Sequence, residues 1–230
     1  MPRSGSRGSS RSEAGVRSRG TAFGARGTLR PMRHLLAALV AAIVVFFWGF
    51  MSWAAIGIWD FAFPRPKNET AIVETLKASL DGDGAYVVPF MPEGYGQEGT
   101  DEAVKAASAD YEARHRAGPL ALILYRVQGS DPMPPAELAR GFGIEFVSAL
   151  LLACILSTVQ GGFARKAYVG FTIALFAATA CYGVMGNFMR MPLPFVFAFW
   201  ADAIIAWTLA TLVIAKMTPA KARGHGDGRG

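Results

Sequence analysis

The chain has 230 residues, 52% of them hydrophobic and only 17% charged, with a net charge of +6 and a mean hydropathy of +0.30. That is too apolar for an ordinary soluble domain and points to the membrane class. The charge is also segregated: residues 35–58, 146–159, 167–189 and 191–215 hold one acidic residue, Asp202, and no lysine or arginine. Both cysteines, Cys154 and Cys181, fall inside apolar runs, which argues against a disulfide framework or a cysteine-based zinc site. The positive excess lies in the tails beside apolar runs, where orientation in a lipid bilayer explains it better than nucleic acid does. No specific nucleic-acid partner is expected.

Residues 1–33 are rich in Arg, Gly and Ser, a composition that cannot bury enough surface to fold. A disordered cytoplasmic tail is expected there, with Met32 as an alternative translation start. Residues 34–59 read as the first transmembrane helix. The apolar run from Leu35 to Ile58 is about 24 residues long and, at roughly 1.5 Å per residue, crosses a hydrocarbon core of about 30 Å with some tilt. A cleaved signal peptide, whose apolar region is roughly 7 to 15 residues, fits less well.

Residues 60–140 read as a small α/β segment. Asn68 can cap a helix whose Ile72, Val73, Leu76 and Leu80 form one apolar stripe. Residues 84–90, GAYVVPF, read as a short edge strand, because Pro89 cannot donate to a ladder. Thr100, Asp101 and Glu102 open a second helix with Val104, Ala107 and Tyr111 on one face. Arg114, His115 and Arg116 before Gly118 close it, with His115 as a capping or solvated cation. Residues 120–127, LALILYRV, are nearly all apolar and read as a buried strand. Pro134 and Pro135 suit the first turn of a helix that continues into the second span. A unit of about 80 residues has marginal stability alone, so it is expected to lean on the membrane helices.

Transmembrane helices 2 to 4 fall within residues 141–217, at about Gly143 to Gln160, Ala167 to Phe188 and Pro194 to Met217. Their connections, QGGFARK and MRMPLP, are short, which implies adjacent antiparallel helices. Residues 218–230 read as a second disordered tail. The expected fold class is therefore membrane all-α: a four-helix transmembrane bundle with a small extracytoplasmic α/β insertion between helices 1 and 2.

Orientation follows from the basic residues. Eight arginines precede the first span, Arg165 and Lys166 join the second to the third, and Lys216, Lys221, Arg223 and Arg229 follow the fourth. The connection between the third and fourth spans has only Arg190. The positive-inside rule then puts both termini in the cytoplasm and residues 60–140 outside a bacterial inner membrane.

Few residues carry candidate chemistry. Asp202 lies about eight residues into the fourth span, roughly 12 Å deep, where a carboxylate is costly and marks an ion path, a proton relay or an interhelical contact. It shares a row spaced by four with Ala198, Ala206 and Ala210, so it should face protein. Glu145 enters near the outer end of the second span and is a second candidate, or simply an interfacial carboxylate. In WGFMSW, residues 48–53, Trp48 and Trp53 mark a packing seam or a ligand groove, with Gly49 and Ser52 allowing close approach, while Trp59 suits an outer aromatic belt. Two more small-residue rows, Gly170, Ala174, Ala178 and Ala149, Ala153, Ser157, favour a compact bundle.

Histidine occurs only at His34, His115 and His225, too scattered to share a metal. The glycine runs GYGQEG and GFG lack the lysine and hydroxyl of a phosphate loop. No catalytic residue, cofactor or metal site is expected, and the chain does not read as an enzyme.

The segments WGFMSW, Trp59 with Asp60, ALILYR and FWADAIIAW, in that order, resemble a set of bacterial multi-pass membrane proteins to which no activity is assigned. The resemblance covers about residues 35–217. Members of that set often have a histidine after the last tryptophan of the first span, where Asp60 stands here. The resemblance implies the topology and adds no function. The expected function is that of a noncatalytic envelope protein that binds or organises a partner through its extracytoplasmic segment, as a possible homo-oligomer or with another envelope protein. The alternative is a small oligomeric proton-coupled transporter or channel using Asp202.

Overall fold

The computed structural model describes residues 25–98 and 101–219, with side chains from Met32 onward. Residues 1–24, much of the expected N-terminal tail, the expected helix opener Thr100, and most of the C-terminal tail lie outside the described residues. The helices are α1 Ala25–Ala54, α2 Glu69–Ser79, α3 Glu102–Ala117, α4 Pro135–Thr158, α5 Phe163–Ala178, α6 Val184–Phe188 and α7 Leu193–Met217. The strands are β1 Gly84–Val88 and β2 Ala121–Tyr125. A π-helical turn, Thr179–Gly183, joins α5 to α6 into one continuous rod.

Four helical segments are long and apolar enough to cross a membrane: Met32–Ala54, Pro135–Thr158, Phe163–Phe188 and Leu193–Met217. The fold is thus mostly helical, consistent with a multi-pass membrane protein, and carries one two-stranded sheet. The first helix extends further back than its apolar run, to Ala25, and stops at Ala54, short of Trp59. Gly57, at φ 68°, turns the chain there, a left-handed conformation that glycine adopts without strain.

Helices α1 and α7 pair at the middle of the bundle: α1 also packs along α4, and α7 also packs along α5. The seam of α1 is made of small residues: Ala37, Ala38, Ala41 and Ala42 are wholly buried, and Val45 nearly so. Lipid tails are as apolar as leucine, so association rests on close van der Waals packing, and small side chains let the backbones approach. Facing them are Ala149, Leu152, Ala153 and Leu156 of α4 and Ala206, Ala210 and Ile214 of α7. The rows of alanine in α4 and α7 thus lie inside, but Ser157 is exposed and bonds its own helix at Cys154 O.

Short connections do not seat successive spans side by side throughout. Helices α4 and α5 touch sparsely, and α5 instead lies along α7. The cause is the row Gly170, Ala174 and Ala178, all buried, with Gly170 directly against the side chain of the buried Thr211. A glycine is needed at that crossing because an added Cβ would collide with Thr211. Gly49 is different: nothing lies within 4 Å of where its Cβ would stand, and the close approach expected there falls on the buried Ser52.

At the opposite end from the insertion, two cations serve the last turn of α7. Lys166, 4% exposed, donates to Thr218 O and, at 3.3 Å, to Thr218 Oγ1. Arg33 donates to Met217 O at 3.4 Å. The C-terminal carbonyls of a helix lack intrahelical donors and carry partial negative charge, so cations satisfy them. Lys166, expected only as an orientation signal, is a buried clasp between α5 and α7.

Between α1 and α4 the expected elements form, but they do not enclose a core. Asn68 Oδ1 accepts from Ala71 N at 3.0 Å to cap α2, and Asp101 Oδ1 accepts from Val104 N at 2.9 Å to cap α3. Neither helix buries a residue. The Ile72 and Val73 stripe is 47% and 42% exposed. Helix α3 is supported on its surface by the pairs Lys105–Glu102, Arg114–Asp110 and Arg116–Glu112, each worth little in solvent. The strands pair antiparallel from Gly84 with Tyr125 to Val88 with Ala121. Residues 120–127 are therefore not a buried strand: Leu124 is 78% exposed. Two strands cannot cover both faces, and such a ribbon needs another element to pack against. Helix α4 starts at Pro135 and runs unbroken into the second span, as its prolines suggest.

The close crossing gives a paired test. Gly170→Ala is expected to lower stability by about 1–3 kcal/mol through overpacking, whereas Gly49→Ala is neutral or gains up to about 1 kcal/mol of helix propensity. Thermal unfolding of the two purified variants in detergent checks this, and equal midpoints would contradict the packing described.

Candidate functional site

Two places in the fold gather unusual residues: a polar seam inside the bundle and a groove at the end that carries the insertion. The seam draws on all four apolar rods. Trp48 of α1 donates from Nε1 to Asp202 Oδ1 of α7 at 2.9 Å. Trp48 packs on the same core as Phe142 and Phe146 of α4, and Glu145 lies between those two in sequence. Glu145 is half-buried, its Oε2 is buried without a hydrogen-bond partner, and Asp202 acts on it electrostatically. Tyr182, in the π-helical turn, also lies within electrostatic reach of Asp202. Asp202 is thus the point where residues of all four apolar rods converge.

The surroundings explain how a carboxylate is held there. Ala206 and Ala210, on the row of Asp202, are buried against α1 and bring it close enough for the indole to reach across, while Ala198 on the same row is buried beneath Trp59. A carboxylate oxygen in such an interior is costly unless it accepts a hydrogen bond, and the tryptophan N–H supplies one without adding charge. A second crossing bond of the same kind lies nearby: Trp200 donates to Thr179 Oγ1 at 3.1 Å, joining α7 to the π-helical turn. Such turns displace side chains from the regular register and recur at functional sites. No sequence signal marked Thr179 or Tyr182, because a π-helical turn has the same composition as the helix around it.

Trp53 does not join the seam. It is 60% exposed, and its ring lies 5.0 Å from that of Trp59. Trp59, by contrast, is only 8% exposed and packs on Ala62, Ala198 and Phe199, so its ring is covered by protein. The cause is the turn at Gly57, which folds residues 58–63 back over the start of α7. Rings of Trp59, Phe63, Phe195 and Phe199 then pack together, some edge to face and some tilted, at centroid distances of 4.5–6.4 Å.

Phe63 and Phe195 lead from that stack into the groove, a partly open cavity of about 770 Å³. One wall is the sheet, with Val87, Val88 and Leu122; the other is the joint between α6 and α7, from Phe188 to Pro192. Tyr111 and His115 of α3 close it. His115 is half-buried with its ring 5.6 Å from that of Tyr111, so it is a lining residue and not a solvated cap. Gly118 N instead closes α3 on Arg114 O at 2.9 Å. Tyr95 braces the helix from outside, its ring 5.2 Å from that of Tyr111 and its hydroxyl donating to Glu112. The Glu112 carboxylate beside it raises the Tyr95 phenol above its usual pKa.

Among the described residues no three His, Cys, Asp or Glu side chains are grouped to hold a metal, and both cysteines are free and exposed. What the two places can do is different in kind. The seam can hold a proton or fix helix packing. The groove can enclose an apolar or amphiphilic body.

Trp48→Phe leaves Asp202 without its donor and is expected to cost about 1–3 kcal/mol, while Asp202→Asn keeps an acceptor oxygen and costs less. Replacing both by apolar residues, Trp48→Phe with Asp202→Leu, should recover much of the loss. Denaturation of the single and double variants in detergent reads this directly, and strictly additive losses would rule out the coupling. No family model, curated protein or solved structure matches this chain.

Proposed function

We propose that this chain is a noncatalytic envelope protein of a bacterial inner membrane that binds a partner at the end carrying the insertion, with both termini in the cytoplasm and residues 60–140 outside. The observation that carries it is the groove, whose walls come jointly from α3, the sheet and the joint between α6 and α7. An insertion with no core of its own has its apolar side chains turned to that shared cavity or to its surroundings. Large exposed apolar groups at such a place mark interaction surfaces. The orientation is supported by Arg33, Arg165 and Lys216 at one end of the bundle against Arg190 at the other.

Transport has one observation in its favour: Glu145 Oε2, buried and unpartnered, next to Asp202. A homo-oligomer would be needed to line a path with so few spans. Against it, Trp48 already occupies one oxygen of Asp202, as a packing role requires.

Complementation separates the two functions. In a strain lacking the protein, a chain with residues 68–128 replaced by a flexible linker is expected to fail while Asp202→Asn restores the phenotype; the reverse pattern would sink the proposal. A periplasmic reporter fused after residue 130 should be active, and cytoplasmic activity there would overturn the orientation. In proteoliposomes the wild type should move no protons, and a flux lost in Glu145→Gln and Asp202→Asn would establish the carrier instead.

A further inference from the structure

We propose that the groove takes one acyl chain of an anionic membrane lipid, with the headgroup held by Arg190 and His115. The proposal rests on the insertion end being the binding face and names what that face binds.

The cavity is the right size and lies in the right place. At about 770 Å³ it falls within the roughly 300–1,000 Å³ of small-molecule sites. Its lining includes Phe188 and Phe195, at the ends of two apolar rods, and Met191 in the connection between them. Beside it Phe188 and Leu193 are 73% and 81% exposed, so an apolar path leads from the side of the bundle to the groove. An acyl chain could pass along it without crossing water. A peptide would have to bring backbone N–H and C=O groups against mostly apolar walls, where unpaired polar groups are costly.

Charge favours an anionic head. Tyr111, His115 and Arg190 are the titratable side chains that line the cavity, and no carboxylate does. Arg114 and Arg116 on α3 are paired with Asp110 and Glu112. No ion pair holds Arg190 among the described residues. An arginine fork at that point matches a phosphate or carboxylate geometrically.

The backbone at Arg190 adds an independent observation. It is the one non-glycine residue with positive φ among those described, at 54°. Met191 N bonds Gly186 O at 3.2 Å, so Arg190 occupies the left-handed position that ends a helix and that glycine usually fills. A side chain there carries a conformational cost that glycine would avoid. The chain therefore keeps a guanidinium in the groove wall at a place where local stability favours its removal.

That conflict supplies the test. Full-length protein is reconstituted into phosphatidylcholine vesicles containing a few per cent phosphatidylglycerol with a diazirine at the end of one acyl chain. After photolysis the labelled peptides are mapped. Labelling of residues 84–88 and 120–125 is expected alongside the ordinary lipid-facing labelling of Phe47 and Phe50 on α1. The same probe on phosphatidylcholine should label the strands roughly tenfold less, the loss appropriate to one charge-assisted contact. Arg190→Gly should lose strand labelling by a similar factor while α1 labelling is kept and the unfolding midpoint is kept or raised; Arg190→Lys should retain part of the strand labelling.

Strand labelling that is absent, or equal for both lipids, or unchanged in Arg190→Gly, would overturn the proposal. So would displacement by free palmitate and not by unlabelled phosphatidylglycerol, which would assign the groove to a free fatty acid. If labelling fails while the chain lacking residues 68–128 still fails to complement, the lipid is wrong and the binding face stands. If labelling succeeds while that chain complements, the lipid site is real and is not the protein's essential function.

Discussion

The hydrogen bond from Trp48 to Asp202 is the constraint around which the bundle is arranged. A carboxylate well inside an apolar rod cannot be left to hydrocarbon, so α7 must present that face to protein. Once Asp202 is turned inward, the alanines on its row turn with it, and they fit against the alanine seam of α1. The polar contact fixes rotation and register, and the small residues supply the packing energy that lipid cannot displace. Neither would specify the arrangement alone, because alanine seams are self-similar along a helix and a single hydrogen bond contributes only about 1 kcal/mol.

The same logic sets the two ends of the bundle apart. At one end α7 is closed by Lys166 and Arg33, cations drawn from the two helices that flank it, and the structure there is finished. At the other end the joint between α6 and α7 is short, strained at Arg190 and bordered by exposed apolar side chains. The insertion sits over that end without a core, its helices held by caps and surface ion pairs and its strands paired only with each other. A fold that spends its packing on one end and leaves the other open has a place for a ligand to complete it.

Parts of the candidate site were legible from residue chemistry. Asp202 stood out because it is the one charge in the long apolar runs, and Trp48 because it lies deeper than Trp59, beside the small residues Gly49 and Ser52. Their partnership was not legible, since 154 residues separate them and no local pattern records a bond across helices. Glu145 could be ranked as a carboxylate near a span end but not as a neighbour of Asp202. The contact between Trp53 and Trp59 was not legible either, because the turn at Gly57 redirects the chain after α1 and local periodicity does not carry through it. His115 and Arg190 belong to elements 75 positions apart, each with an ordinary local explanation, and only the cavity gives them a common surface.

The sequence by itself determined that four apolar segments are long enough to cross a membrane, that Asn68 and Asp101 stand where two helices start, that a proline pair starts α4, and that the carboxylate of the fourth apolar segment must face inward. These follow from transfer energies, hydrogen-bond inventory and periodicity, which act over a few residues. Tertiary structure decided which helices touch, placing α5 against α7 through Gly170 instead of beside its predecessor, turned Lys166 into a clasp, left the strands uncovered and assembled the groove. Those outcomes depend on shape matching between surfaces far apart in the chain, where a missing Cβ or one turned tryptophan changes which pairing fits.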